Sequence, residues 1–241
     1  MIAEIAGKTT READRAEDEL TGNFFGSLRY IPFNKGLKRI LKSCLAPNKF
    51  DKIIDLIDAG EWSESIHFWQ QQKYEGEPDI LLDFDDVIIL IEVKYNSGLS
   101  PGQLERYEKL LNRIANGKET LIILLAREEE AGMSYDELVT DKEQSLLNVT
   151  PFGYMTWQKV YDTINTLRED GNLNQFEKLI MSDIYDLLGK KGFEGFRNFD
   201  VGGLTVDRHK VWRFYEGSES QEGFSFVQER KIIRGLHYVF G

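Results

Sequence analysis

The sequence predicts an α/β fold with a mixed central sheet flanked by helices and a mainly helical C-terminal extension. Three observations lead there. Two runs rich in Ile, Leu and Val, 79–84 and 87–95, are separated by only two residues; a strand, a helix and a strand follow one another over 87–126; and helical apolar periodicity stands on either side of these runs. The 241 residues hold 41% hydrophobic and 29% charged side chains with only 5 prolines, the composition of one sizeable globular domain. No repeat, low-complexity tract or linker divides them, so the chain reads as a single domain, with a core over about 12–127 and an extension over about 128–241.

The elements follow in order. Residues 12–28 form a helix in which Glu17, Leu20, Thr21, Phe24 and Leu28 share a face. A second helix over 35–45 turns Leu37, Ile40, Leu41 and Leu45 inward, and 50–59 is a candidate third. Strands are expected over 64–72, 79–84 and 87–95, the last two as a hairpin. A helix over 101–116 and a strand over 119–126 complete a parallel crossover. Residues 154–157 read as extended, helices are expected over 157–168 and 174–188, and the Gly- and aromatic-rich tail from Gly192 has no assignable elements.

Composition narrows the function classes. The longest apolar runs, 87–91 and 121–126, fall far short of the roughly 20 residues needed to cross a bilayer. The first residues, with Glu4 and no basic start, do not read as a secretory signal, so a cytoplasmic protein with no membrane partner is expected. One cysteine, Cys44, permits no intrachain disulfide, and with only His67, His209 and His237 a Cys/His zinc cage cannot be built, so any metal must rely mainly on oxygen ligands. The net charge of −11 opposes indiscriminate attraction to polyanions.

The acidic hairpin carries the chemistry. If Asp85 and Asp86 form a two-residue loop, Phe84 faces Val87 and Asp79 faces Glu92, with about 5 Å between such Cβ atoms. Lys94, two residues beyond Glu92, points to the same face. Facing like charges at the end of apolar strands destabilise unless compensated, and a divalent cation compensates them through oxygen ligands. Three other readings stand beside this one. Glu77 would face Lys94 as an ordinary cross-strand salt bridge, with Asp79 and Glu92 at a solvated edge. Two carboxylates about 5 Å apart would also suit a retaining glycosidase, although the lysine fits that less well. And Asp-Asp is not a favoured type I′ turn, so a bulge would shift the register.

Pro78-Asp79, twelve intervening residues and Glu92-Val93-Lys94 resemble the signature of the PD-(D/E)XK nuclease superfamily. Upstream, the segment from Glu17 to Thr21 resembles the acidic first-helix motif of bacterial members, and Gln103 with Tyr107 resembles the Q-x-x-x-Y element of RecB-like members. The element order agrees with a restriction-endonuclease-like αβββαβ core, over about 12–127. The resemblance implies a metal-dependent nuclease that hydrolyses phosphodiester bonds, with DNA the expected substrate and a restriction, repair or anti-phage role. It implies Asp79, Glu92 and the backbone carbonyl of Val93 as ligands of Mg²⁺, with Mn²⁺ as substitute. Lys94 would orient or help deprotonate the attacking water and stabilise transition-state charge. Glu17, a carboxylate on an apolar stripe, would act at the metal directly or through water, or serve only the helix start or its solvated edge. Asp18 is a reserve candidate, and Glu19 is expected at the surface.

Gln103 and Tyr107 would border the substrate. Gln103 also fits a capping box begun by Ser100, and Tyr107 fits the core among Leu104, Leu110 and Leu111. Gly22 and Gly26 permit close approach of a backbone, from the sheet or from a nucleic-acid strand. His67 and Cys44 are expected to be structural. From Thr21 to Phe50 there is no Asp or Glu, and Lys35, Lys38, Arg39 and Lys42 recur at helical spacing as a stripe able to track phosphates, or as an ordinary solvated face. Arg208, His209, Lys210 and Arg213, with Trp212 and Tyr215, form a second basic group in the tail. The rival from another class is a non-catalytic DNA-binding or protein-interaction module that retains the fold. A homodimer or a partner protein is compatible with either.

Overall fold

In the computed structural model, residues 12–72, 75–95, 97–127 and 150–193 are described. Helices α1 (Glu12–Leu28), α2 (Leu37–Cys44) and α3 (Asp51–Asp55) precede strands β1 (Ile66–Phe68), β2 (Ile80–Asp83) and β3 (Val87–Val93). Helix α4 (Gln103–Ile114), strands β4 (Glu119–Ala126) and β5 (Phe152–Thr156), and helices α5 (Trp157–Arg168) and α6 (Gln175–Lys190) follow. The basic and aromatic group expected between Arg208 and Tyr215 lies outside the described residues.

The hairpin sets the register. Phe84 N–H donates to the Val87 carbonyl at 2.9 Å, closing the Asp85-Asp86 turn, and Ile80 faces Ile91, so the expected pairing holds and no bulge shifts it. The five strands lie in the order β1-β2-β3-β4-β5, antiparallel across the first three and parallel from β3 to β5. All seven residues of β3 are buried, as expected for a central strand covered on both faces. On one face Ile89, Ile91 and Val93 pack with α1, α2, α5 and α6; on the other Ile88 and Leu90 pack with Leu104, Leu110 and Leu111 of α4.

The region after residue 128 contributes more than appended helices. β5 is the fifth strand of the sheet, and Trp157, Val160, Ile164, Met181 and Leu188 share one apolar cluster with Leu20, Phe24 and Leu28 of α1. The extended stretch expected over 154–157 is the second half of β5, and the capping box at the start of α6 is Asn174 with Glu177. Among the described residues no helix is long and apolar enough to cross a membrane.

β5 passes close to the segment after α2, where Ala46 and Tyr154 exchange backbone hydrogen bonds of 2.8 and 2.9 Å. A Cβ on Gly153 would lie 2.8 Å from Phe50, 2.9 Å from Leu45 and 3.0 Å from the Ala46 carbonyl. Gly153→Ala is therefore expected to overpack this junction and destabilise the fold by about 1–3 kcal/mol. Urea denaturation would show a lower midpoint with an unchanged slope.

Candidate active site

The carboxylates meet where β2 begins and β3 ends. Asp79 immediately precedes β2, Glu92 is the penultimate residue of β3, and Lys94 follows that strand directly. All three are largely withdrawn from solvent, with relative exposures of 9%, 2% and 8%. This replaces the solvated-edge reading, and the cross-strand bridge from Glu77 to Lys94 is replaced as well. The Lys94 ammonium lies 2.6 Å from Glu92 Oε1 and 3.2 Å from Glu17 Oε1.

Each partner is fixed by a separate element. Glu17 reaches the strand end from α1, where its Oε2 accepts hydrogen bonds from the Tyr95 N–H at 2.9 Å and the Ser97 hydroxyl at 2.8 Å. Its place on an apolar stripe is thus explained by three donors, one of them the lysine ammonium. The Lys94 backbone is held from both sides, its N–H donating to the Leu125 carbonyl and its carbonyl accepting from the Trp157 indole at 3.1 Å. Ser97 and Trp157 carry no signal in the linear sequence, since Trp157 approaches only because β5 joins the sheet.

Gln103 stands at the helix start and also reaches Glu92. Its Oε1 accepts from the Ser100 N–H and hydroxyl, each at 3.0 Å, while its Nε2 donates to Glu92 Oε1 at 2.6 Å and to the Tyr107 hydroxyl at 3.0 Å. The helix proper begins at Gln103, with Gly102 at φ 66° before it, two residues later than the proline-initiated start expected. The Tyr107 hydroxyl donates to Glu92 Oε2 at 2.8 Å, while the residue packs in the core with Leu104, Leu110 and Leu111.

A proline shapes the remaining donor. Continuing the β2–β3 register sets Pro78 opposite Val93, at a position whose N–H would bond the Val93 carbonyl. Proline has no N–H, so the ladder supplies that carbonyl with no donor from β2. The Val93 N–H donates at 2.8 Å to Asp79 Oδ2 instead. That bond holds the Asp79 carboxyl against the Val93 backbone at the end of β3.

The electrostatics are those of a site short of positive charge. Burial, then the neighbouring Glu92 charge, raises the Asp79 pKa well above the carboxylate range. Burial likewise raises Glu92, against the opposing pull of Lys94, Tyr107 and Gln103. Burial alone would lower Lys94, but the Glu92 and Glu17 carboxylates outweigh it and hold the ammonium above its ordinary pKa. Burial and the Glu92 charge also raise the Tyr107 phenol, keeping its proton available to Glu92.

The chain matches no protein-family model, no curated protein and no solved structure. Among the described residues no three or more His, Cys, Asp or Glu side chains form a set able to hold a metal ion. Glu17 anchors Lys94, Tyr95 and Ser97 through its two carboxylate oxygens. The donors that fit a hard cation are two carboxylates and one carbonyl: Asp79, Glu92 and Val93, with water completing an oxygen shell.

The other sequence candidates have structural partners. Lys35 pairs with Glu177 at 3.0 Å, Lys38 and Lys42 pair with Asp55 at 3.7 and 2.6 Å, and Arg39 pairs with Asp170. These four cations thus share three carboxylates, Lys38 and Lys42 both meeting Asp55, and Lys35 lies just before α2 rather than on it. Gly22 and Gly26 are buried within α1. Cys44 is buried beside Thr163, and burial pushes its thiol up to about 11, which suits the expected inert role.

Proposed function

We propose that this protein is a metal-dependent nuclease of the PD-(D/E)XK type, built on a restriction-endonuclease-like core and hydrolysing phosphodiester bonds in DNA. One observation carries the reading: Asp79 and Glu92, two buried carboxylates with raised pKa values, sit beside the Lys94 ammonium and a carbonyl without a ladder donor. Neutralising such a pair from outside is what a divalent cation does. Asp79, Glu92 and the Val93 carbonyl would hold Mg²⁺, or Mn²⁺ in its place. Bound there, the ion would lower the pKa of a water molecule and offset charge on the phosphoryl oxygens.

The chain's own groups do the rest. Lys94, held protonated between Glu92 and Glu17, offers its ammonium to the negative charge that builds on the phosphoryl group, a stabilising rather than a proton-abstracting part. Glu17 positions that ammonium and the loop after it. Gln103 and Tyr107 orient Glu92 by donating to its two oxygens. Groups that orient a metal ligand typically contribute 10- to 100-fold to metal affinity. Tyr107→Phe is therefore expected to raise the Mg²⁺ concentration for half-maximal cleavage by about 10-fold or more while leaving the core packed, as a metal titration of the cleavage rate would reveal.

A second reading has its own support. The ammonium and all four oxygens of Glu17 and Glu92 have partners within the chain, as in a purely structural network. A non-catalytic module retaining the fold would contain such a network. Incubation of labelled plasmid, linear duplex, single-stranded DNA and RNA with Mg²⁺, Mn²⁺ or EDTA separates the two. Metal-dependent cleavage that disappears in a folded Asp79→Asn variant supports the nuclease; nucleic-acid binding without cleavage under every condition supports the module.

A further inference from the structure

Beyond Lys94 the chain assembles a second group of cations that the motif does not include. The Arg127 guanidinium, one residue past β4, stands 4.8 Å from the centre of the Tyr95 ring and 5.8 Å from that of Phe193. The Lys191 ammonium, one residue past α6, stands 5.6 Å from the Tyr95 ring. The Tyr95 hydroxyl donates to the Lys191 carbonyl at 2.8 Å, tying the end of α6 to the end of β3. Phe193 stacks on Trp157, the residue whose indole holds the Lys94 carbonyl. These cations are thus built onto the same frame as the candidate site.

Their placement and their charge point the same way. In the parallel register of β3 and β4, Val93 faces Leu125, so Tyr95 and Arg127 continue as neighbours on adjacent strand ends. These are the carboxyl ends of parallel strands, the edge at which ligands bind in open α/β sheets. Lys35 and the three α2 cations all meet carboxylates, Lys38 and Lys42 sharing Asp55, whereas no ion pair among the described residues involves Arg127 or Lys191. Arg127 is exposed and Lys191 half-buried. A chain of net charge −11 with buried carboxylates at its site repels a polyanion, so a nucleic-acid strand must be drawn in by local uncompensated cations. Resting on an aromatic face restricts both side chains before binding, which lowers the ordering cost of a phosphate contact.

We propose that Arg127 and Lys191 grip the phosphate backbone of a nucleic-acid strand laid across the ends of β3 and β4, with Tyr95 as the platform between them. The proposal rests on the nuclease reading. Contacts of this kind position a strand and carry no base preference. Each phosphate neutralised adds about 0.9 to the slope of log affinity against log salt for a duplex, or about 0.7 for a single strand.

The test compares the wild-type chain with Arg127→Gln, Lys191→Gln and the charge-keeping Arg127→Lys. Kd for labelled duplex and single-stranded DNA is measured across a KCl series in EDTA, KM and kcat in Mg²⁺, and folding by thermal melts. Each glutamine variant should raise Kd and KM about fivefold to tenfold, more than it changes kcat, and flatten the salt slope by about 0.7–0.9, while Arg127→Lys keeps the slope. The two single variants lie on different elements, so a folding defect in one leaves the other to decide. If the wild-type protein cleaves DNA and the folded glutamine variants keep its Kd, KM and slope, the proposal is overturned and the nuclease reading stands. If the folded wild-type protein neither binds nor cleaves any nucleic acid, both are overturned.

Discussion

Lys94→Ala is expected to lower metal-dependent cleavage by about 10²- to 10⁴-fold, the range associated with removing a positioned acid–base or charge-stabilising group. It is also expected to weaken the fold. The ammonium is the only cation bonded to Glu92 and Glu17 among the described residues, and Glu92 is almost wholly buried. Removing one partner of a buried pair leaves an uncompensated charge, at a cost of about 3–5 kcal/mol. For a chain of this size that lowers Tm by roughly 10 °C, so activity must be compared well below the variant's melting temperature. The two carboxylates on one ammonium make both losses large. Undiminished cleavage by a folded variant would remove Lys94 from the site, and an unchanged Tm would contradict the buried pairing.

Asp79→Asn is expected to have opposite effects on activity and stability. A neutral amide can still accept the Val93 N–H through its oxygen while removing the charge that burial and Glu92 disfavour. Without metal the variant should be more stable than wild type by about 0.5–2 kcal/mol and should have no cleavage activity. The pH dependence follows from the same shift. Because the folded protein holds the Asp79 and Glu92 protons to a higher pH than the unfolded chain does, it binds more protons between the two pKa values. Metal-free wild-type stability from these groups is therefore greatest on the acid side and declines as pH rises from the ordinary carboxylate range through the raised values. Asp79→Asn should remove part of that decline. Mg²⁺ should raise the Tm of wild type at neutral pH and leave that of Asp79→Asn nearly unchanged, since a ligand stabilises only the state that binds it. Calorimetry across pH, with and without Mg²⁺, measures all three. Equal pH profiles for the two proteins would mean that Asp79 carries no raised pKa.

Much of this arrangement is local enough to be read from residue order. Helices α1 and α5 and strand β4 lie where periodicity and β-branched runs put them, because each buries one face or both against the sheet. The two-residue gap between apolar runs determined the β2–β3 register and so brought Asp79 opposite Glu92, since strand side chains alternate with period 2. That Glu17 needed a partner followed from its place on an apolar stripe. What it pairs with did not, because Glu17 and Lys94 are far apart in the chain and meet only when α1 packs across the end of β3. The α2 stripe illustrates the same limit. Helical spacing predicts a shared face for Lys35, Lys38, Arg39 and Lys42, but Lys35 falls in the turn before α2, and only tertiary packing brings Asp55, Asp170 and Glu177 against these cations. Arg127, Tyr95 and Lys191 likewise have no common spacing in the sequence; the parallel register and the docking of α6 assemble them. Local order determined the elements, the hairpin and its three ionisable residues, because those depend on side-chain periodicity and one short turn. Tertiary packing decided which charges are compensated and which remain open, because electrostatic partners are chosen by distance in space rather than along the chain.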